Sequence, residues 1–430
     1  MRARPRRRGS RSLHRTQERR GRSVTGAAVR VDPETERART PGAAVYRHFN
    51  AAGCSLPSSE TLDTVFRHLI LEGSEGGYEA ATAAVERTSA VYSSVARLVG
   101  GSASEIGMFD SASNALRTVI DSWVFEPGSH IIVSRSTYVS HALHLMSLAR
   151  SHQLTLQVVD AGPDGSIDLE LLKAALSRAA GAPSLLSVAH VPTSSGLVEP
   201  VTAVGVLARE YGALYLVDAT QSVGQIEIDV DAIGCDVLVG TGRKFLRGPR
   251  GTGFAYVRSS ASARLARHIL DVRGTVWDAD KSWSSVPGAV RFETWEHSVA
   301  ARLGLGSAID QALEIGVDRI NATIDSLAAP LRDGLSKIRG VTVTDPAAAA
   351  SGIVTFAVDG IDARDAVLRL RSLGTRLTSV PASHGQWDLG ARSIPAVVRA
   401  SVHVYNREDE IDELLSEVRE IAATTVVRGA

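Results

Sequence analysis

Short apolar segments alternate with amphipathic segments between residues 78 and 257. Each apolar segment is five to seven residues long, which is typical of a buried strand. Helical patterns such as 167–180 and 201–212 separate most of the first four of them. The predicted strands are 130–134, 154–159, 184–190, 213–219, 236–241 and 252–257. Strands that alternate with helices predict an α/β domain with a mostly parallel sheet.

The pattern changes near residue 300 to longer helices, followed by an apolar strand at 352–358, a helix at 362–373, a strand at 396–402 and a last helix from about 407. This part is predicted to be a smaller α+β domain. The predicted organisation is therefore a disordered tail (1–40), an N-terminal segment that contributes to the small domain and the site mouth (41–75), a large domain (76–300) and a small domain (301–425).

Charge is unevenly spread along a chain whose net charge is zero. Residues 1–22 carry ten arginines and a single acid, Glu18, so this tail is expected to be disordered. The rest is mildly acidic, which argues against nucleic-acid binding by the folded body. No apolar run approaches the length of a membrane span, and no apolar run follows the arginines as in a secretory signal. A cytoplasmic location is predicted.

Polar side chains follow the predicted strands where the strands end. In an open parallel sheet, ligands bind beyond the carboxyl ends of the strands. The segment 110–116 opens a helix with small hydroxyl residues, which suits an anion because free N–H groups and the positive end of the helix dipole point at it. We therefore expect one site built from Ser113, Tyr138, Thr193, Asp218, Gln221, Thr241, Arg243 and Lys244.

Lysine is rare in this chain: it accounts for four of the 47 basic residues, and the other 43 are arginine. Lys244 lies between Arg243 and Arg247 in a glycine-rich stretch. It either cradles a phosphate or serves as an amine that attacks a carbonyl, which a guanidinium cannot do because it stays protonated. Pyridoxal 5'-phosphate needs a lysine for its aldehyde and an aspartate on its pyridine nitrogen. Lys244 and Asp218 supply these two groups.

The stretch YLVDATQSVGQIEIDVDAIGCDVLVGTGRKFLRGPRGTGFAYV (215–257) resembles the core signature of the class V aminotransferases. These are fold-type I pyridoxal-phosphate enzymes that include cysteine desulfurases, C–S lyases and isopenicillin N epimerase-like proteins. Weaker matches extend the resemblance over roughly residues 46–425. It implies a mostly parallel seven-stranded sheet in a three-layer α/β/α large domain, and a homodimer with active sites at the interface.

The resemblance also implies a role for each residue. Lys244 would bind the cofactor aldehyde as a Schiff base and move the Cα proton, and Asp218 would pair with the pyridinium nitrogen. Arg399 would bind the substrate α-carboxylate, and Asn50 with the small residues after it would line the mouth. The remaining contacts to the cofactor are assigned to Gln221 and Thr193 near the ring hydroxyl, Tyr138 against the ring, and Ser113, Thr241 and Arg243 at the phosphate.

Several of these residues have a structural alternative when taken singly. Asp218 fits a helix cap, Lys244 a surface charge, and Arg399 a partner for an acid. Tyr138 alone is more typical of a core. His141 and His144 are spaced like two metal ligands, but no third ligand stands out, so they are read as structural and no metal site is expected.

The expected reaction type follows from the absence of a cysteine on the loop before Arg399. Cysteine desulfurases carry a cysteine on a late loop before the carboxylate-binding arginine, whereas residues 300–398 contain none; Cys54 and Cys235 match the wrong places. The expected function is therefore a C–S β-lyase that acts on a cysteine-derived amino acid without forming a persulfide. Transamination and epimerisation remain alternatives, as does a catalytically silent cofactor-binding protein.

Overall fold

The protein is described by a computed structural model that covers residues 30–266 and 270–426. Most of the predicted disordered tail, 1–40, lies outside the described residues. Regular structure begins earlier than predicted, because Pro33–Ala38 form a helix. Asp32 accepts hydrogen bonds from two backbone N–H groups at its start, and such a cap stabilises a helix that has a polar composition.

Helices and strands alternate through most of the described chain. Its helices are α1 (Pro33–Ala38), α2 (Ala51–Cys54), α3 (Ser59–Glu75), α4 (Gly77–Ala83), α5 (Val85–Val99), α6 (Ala112–Asp121), α7 (Val139–His152), α8 (Leu169–Arg178), α9 (Val201–Glu210), α10 (Val230–Ile233), α11 (Val299–Ile315), α12 (Val317–Ser336), α13 (Ala363–Ser372) and α14 (Glu408–Val426). Its strands are β1 (Arg47–His48), β2 (Ile106–Phe109), β3 (His130–Ser134), β4 (Thr155–Val159), β5 (Ser184–Ala189), β6 (Leu214–Asp218), β7 (Val237–Thr241), β8 (Gly253–Val257), β9 (Thr275–Ala279), β10 (Ser282–Ser285), β11 (Val341–Val343), β12 (Ile353–Val358), β13 (Thr375–Arg376), β14 (Thr378–Pro381) and β15 (Ala396–Ser401).

A seven-stranded sheet forms the centre of the large domain. Its order is β2-β8-β7-β6-β5-β3-β4. Strand β8 runs antiparallel to both of its neighbours, and the pairings among β7, β6, β5, β3 and β4 are parallel. The six strands predicted from the sequence correspond to β3–β8 within one residue at each end. The predicted fold class is confirmed.

Consecutive residues of the central strands point to opposite faces of the sheet, as the period of a strand requires. On β5, Leu186 belongs to the apolar core that contains α5, α8 and α9. Leu185 belongs to the opposite core, which contains α6 and α7. Both residues are fully buried. The sheet therefore lies between two layers of helices, as the resemblance implied.

Helices α4 and α5 are separated by a break at Ala84. The chain leaves helical geometry at this residue, where φ is −102° and ψ is 2°. Ala84 is fully buried at this break. Gly100 caps the end of helix α5 and adopts a left-handed conformation with φ of 76°, which favours glycine.

The small domain contains the antiparallel sheet β11-β12-β15-β14 and the helices α12, α13 and α14. Its apolar residues Ile353 and Phe356 join the same buried cluster as Val217 of the large sheet. The core therefore continues from one domain into the other, which fixes β15 relative to the ends of β6 and β7. No helix in the described ranges is long and apolar enough to cross a bilayer.

Candidate active site

A cavity of about 400 Å³ lies at the carboxyl ends of β6 and β7. The start of α6 and the turn after β3 form part of its wall, and β14 and β15 of the small domain close another side. Nine of the ten predicted site residues line it: Ser113, Tyr138, Thr193, Asp218, Gln221, Thr241, Arg243, Lys244 and Arg399. The topology thus brings together residues that are far apart in sequence.

The loop that carries Lys244 is held by close backbone packing. Gly224 adopts a φ of 90°, and a Cβ there would lie 2.6 Å from the carbonyl oxygen of Phe245, so this position needs glycine. Arg247 has a left-handed φ of 61°, and its N–H donates to the Lys244 carbonyl at 2.9 Å. Its guanidinium donates to the Leu56 carbonyl at 3.0 Å. These contacts fix the backbone around Lys244.

The Lys244 amine is buried beside two cations. Burial is the largest cause that lowers its pKa from 10.5 to about 7, and the charges of Arg243 and Arg399 lower it further. Asp218 acts in the opposite direction. A lysine whose pKa is near 7 has a substantial neutral fraction at neutral pH, and the neutral amine is the nucleophile.

Asp218 ends β6 and is held by the turn that follows it. Its carboxylate accepts a hydrogen bond from the Thr220 N–H at 3.0 Å. The Gln221 amide donates to the Ala52 carbonyl at 3.2 Å and lies 3.5 Å from the Thr193 hydroxyl. Asp218 therefore caps the turn that follows β6, and its side chain also lines the cavity.

Arg399 reaches the cavity from β15 of the small domain. Its guanidinium donates to the Thr193 hydroxyl at 2.6 Å and to the Thr193 carbonyl at 3.2 Å. Burial lowers its pKa to about 10, and Arg243 contributes to the decrease. No carboxylate is within ion-pair distance of Arg399 among the described residues. A buried cation without an acidic partner is suited to binding an anionic group from a ligand.

The start of α6 and the loop after β7 form a second polar region of the cavity. Ser111 caps α6 by accepting from the Asn114 N–H at 3.2 Å, which leaves Ser113 in the first turn, where helix N–H groups attract anions. The Thr241 hydroxyl donates to the Thr252 carbonyl at 3.0 Å. Arg243 adds a positive charge there, and burial lowers the pKa of its guanidinium.

Asn50 is not among the residues that line the cavity, and its role at the mouth of the site stays a prediction. Its backbone forms a bridge with Ser401, and its side chain lies against Gly53. This bridge ties Asn50 to the carboxyl end of β15, an interior strand of the small-domain sheet. The small residues that follow it, Ala52 and Gly53, do line the mouth.

The structure also places residues in the wall that sequence reasoning missed. They include Arg250 of the glycine-rich loop, Thr378 and Ser379 of β14, and His384. The signal for His384 was its position on the loop before Arg399. The sequence gives no periodic pattern for that loop, so its contact with the large domain could not be predicted.

The two histidines of α7 have ordinary structural partners. His141 Nε2 lies 2.8 Å from the Ser187 hydroxyl, and burial lowers its pKa to about 3. His144 Nε2 lies 2.7 Å from Asp121. The described residues contain no group of three or more potential ligands that could hold a metal ion.

The residues of the cavity fit pyridoxal phosphate. Several buried polar atoms have no hydrogen-bond partner within the described chain, namely Thr220 Oγ1, Gln221 Oε1 and Arg399 Nε. All three belong to residues of the cavity wall. A neutral-capable lysine, a carboxylate, an anion-binding helix start and a buried arginine match the aldehyde, ring nitrogen, phosphate and amino-acid carboxylate respectively.

This fold and this set of side chains define a fold-type I pyridoxal-phosphate-dependent enzyme. The chain belongs to the Aminotransferase class-V family, whose sequence pattern matches residues 49–414. The predicted family, cofactor and enzyme class are therefore confirmed.

Individual relatives span nearly the whole chain. A probable cysteine desulfurase from Methanothermobacter thermautotrophicus is 29% identical over 374 residues, which are 85% of this chain and 92% of that protein. The apo structure of the cysteine desulfurase from Thermococcus onnurineus NA1 has a TM-score of 0.84 at 24% identity, and covers 92% of this chain and 100% of that one. A complex of the cystine C–S lyase C-DES with its product cysteine persulfide has a TM-score of 0.79 at 19% identity, and covers 89% and 99%.

Proposed function

We propose that the protein is a C–S β-lyase that acts on a cysteine-derived amino acid and does not form a protein persulfide. The observation that carries this proposal is the composition of the cavity wall. It combines Lys244, Asp218 and Arg399, and among the described residues it contains no cysteine. Relatives named as cysteine desulfurases support a cysteine-derived substrate, and the C–S lyase neighbour has the same fold.

Neither of the two cysteines in the chain is among the residues that line the cavity. Cys235 is fully buried, and burial raises the pKa of its thiol to about 12, so the reactive thiolate is scarce. Cys54 ends α2, and its thiol lies 3.8 Å from the Ser55 carbonyl outside the cavity lining.

In this proposal each side chain of the cavity has a defined role. Pyridoxal phosphate, when bound, supplies the electron sink for charge that develops at the substrate Cα. Arg399 binds the α-carboxylate and orients the Cα–H bond, and Lys244 takes the Cα proton because its amine is readily neutral. Asp218 holds the ring nitrogen. Binding is completed by Tyr138 against the ring, Thr193 and Gln221 near its hydroxyl, and Ser113, Thr241 and Arg243 at the phosphate.

Product analysis tests the proposed reaction. The holoenzyme is incubated with cysteine, cystine and a panel of cysteine S-conjugates. A C–S β-lyase releases pyruvate, ammonium and a thiol or persulfide product, whereas a desulfurase releases alanine and leaves a persulfide on the protein. Accumulation of the pyridoxamine form would indicate a transaminase, inversion at Cα an epimerase, and no product a silent protein. Each of these other outcomes would refute the lyase.

We also propose that the protein is a homodimer. The supporting observation is a large open cavity of about 910 Å³ lined by Tyr78, Val85 and Trp295, whose side chains are 78%, 57% and 51% exposed. Apolar surface of this kind favours a protein contact. Light scattering after size exclusion tests it: a dimer mass is expected, and a monomer would contradict it. The cytoplasmic location stays a prediction.

A further inference from the structure

A loop of the small domain closes one side of the cavity and carries a histidine into its wall. The loop joins β14 to β15 and contains a 3₁₀ turn at Ala382–His384 and a π-helical turn at Gln386–Gly390. His384 lines the cavity. Its ring centroid lies 6.4 Å from that of Tyr138 with an angle of 68° between the planes. The two rings, one from each domain, therefore meet edge to face at one side of the site.

The large domain holds this loop in place. Asp388 forms an ion pair with Arg135 at 3.5 Å and accepts a hydrogen bond from the Ser194 hydroxyl at 3.3 Å. On its other side, Arg392 lies 3.7 Å from the Asp388 carboxylate. Leu389 is fully buried against the small-domain sheet. The backbone of His384 is thus fixed by contacts immediately downstream of it.

The cavity offers few groups that can deliver a proton to a departing sulfur. Arginines stay protonated, and the proposed function already assigns Lys244 to the Cα proton and Asp218 to the ring nitrogen. A phenol is a weaker acid than an imidazolium. Asp110 lies at the start of α6, in the part of the cavity assigned to phosphate. An imidazole both holds and releases a proton near neutral pH, and His384 provides one beside β15.

We propose that His384 is the general acid for the leaving group, an inference that rests on the proposed function. With the substrate carboxylate on Arg399, the Cβ–S bond breaks and its electron pair goes to sulfur. The His384 imidazolium gives its proton to that sulfur, so the thiol leaves neutral. Lys244 later releases the Cα proton to solvent, and the imidazole takes one proton from solvent, so the protons balance over a turnover. The three-carbon fragment leaves as 2-aminoacrylate, which water converts to pyruvate and ammonium. No oxidant or reductant is needed.

A comparison of leaving groups tests this role in the holoenzyme. Wild type and His384→Gln are assayed with an S-alkyl cysteine, whose thiolate leaves poorly, and an S-nitrophenyl cysteine, whose thiolate leaves well. We expect kcat for the S-alkyl substrate to fall about 100-fold or more, in line with loss of a general acid. The S-nitrophenyl substrate needs little protonation, so its kcat should fall by no more than a few-fold.

Controls separate acid catalysis from a structural role. His152→Gln, which changes an exposed histidine at the end of α7, should leave both rates unchanged. Affinity for L-alanine, which has no leaving group, and exchange of its Cα hydrogen in heavy water should be the same in His384→Gln as in wild type.

Three results would overturn the inference. Equal losses for both leaving groups, or a loss of L-alanine binding of the same size as the loss in kcat, would mean that His384 only shapes the cavity. No loss with the S-alkyl substrate would exclude the role directly. If wild type releases no thiol from either conjugate, the proposed function is wrong and the inference is wrong with it. If wild type releases both thiols and His384→Gln loses the same activity with both conjugates, only the inference is wrong.

Discussion

Burial and the positive charges around Lys244 set the pKa of its amine. The amine is buried next to Arg243 and Arg399, and its pKa is about 7. Below this pH the amine is protonated and cannot attack an aldehyde, and above it the neutral form dominates. Arg399 performs a second task in the proposed function, because the same charge that lowers the lysine pKa binds the substrate carboxylate.

The first prediction concerns the pH dependence of cofactor capture. When the cofactor-free protein is mixed with pyridoxal phosphate, the rate of covalent capture should fall as pH drops through about 7, because Lys244 becomes protonated. Replacing Arg399 with Gln removes a positive neighbour, so the pKa of Lys244 should rise and the midpoint should move to higher pH. Arg371→Gln, an exposed arginine of α13, is the control. Stopped-flow absorbance measures the rates, and an unmoved midpoint would contradict the electrostatic account.

The second prediction concerns carboxylate binding. Arg399→Lys keeps the charge but loses the planar fork that binds a carboxylate through two parallel hydrogen bonds. We expect the Kd for L-alanine, followed by the visible absorbance of the cofactor, to rise about 10- to 100-fold, since a hydrogen bond to a charged group contributes about 1.5–3 kcal/mol. Arg371→Lys should leave the Kd unchanged. Unaltered affinity in Arg399→Lys would place the carboxylate elsewhere.

Among the elements of the fold, the turn after β6 supports the Lys244 loop, because Gly224 packs closely against the backbone of Phe245. Gly224→Ala puts a methyl group 2.6 Å from the Phe245 carbonyl oxygen at a φ of 90°. Gly212→Ala is a matched control, since its φ is 67° but nothing lies within 4 Å of a Cβ there. The control should cost about 1–2 kcal/mol from backbone strain, and Gly224→Ala a further 1–3 kcal/mol from overpacking. Equal losses in urea unfolding would show that packing against Phe245 does not hold the loop.

The elements differed in how far their sequence could predict them. Strand β5 is buried along its whole length and is flanked by Pro183 and His190, so the apolar run in the sequence marks both ends of the strand. Asp218 and Lys244 could be assigned because parallel strands end at one edge of a sheet. The placement of His384 depends on an irregular loop held by Asp388, and that of Asn50 on a bridge to Ser401. Such contacts join segments that are far apart in the sequence, and they produce no periodic pattern of apolar and polar residues that could predict them.

At the scale of the molecule, the N-terminal segment ties the Lys244 loop to the small domain. Glu36 of α1 pairs with Arg247 at 2.6 Å, and both side chains are largely buried. The neighbouring Arg37 pairs with Glu410 of α14 at 2.8 Å. One short helix thus connects the cofactor loop with the last helix of the chain.

Removing the first of these pairs should therefore destabilise the whole protein. Glu36→Ala leaves Arg247 buried with its charge unpaired, and we expect a loss of about 3–5 kcal/mol in the free energy of unfolding. The control Glu34→Ala changes an exposed acid on the same helix and should cost little. Chemical denaturation measures the free energy of unfolding of both variants. A loss for Glu36→Ala as small as that of the control would show that the Glu36–Arg247 pair does not stabilise the fold.

The central claim, that Lys244 binds the cofactor aldehyde, is tested most directly by borohydride reduction of the holoenzyme followed by peptide mass spectrometry. The chain has four lysines, Lys173, Lys244, Lys281 and Lys337, so the modified position is easily assigned. A reduced pyridoxyl adduct is expected on Lys244, and it should be lost in Lys244→Ala and retained in Lys337→Ala. An adduct on another lysine of the wild type, or one that persists in Lys244→Ala, would contradict it.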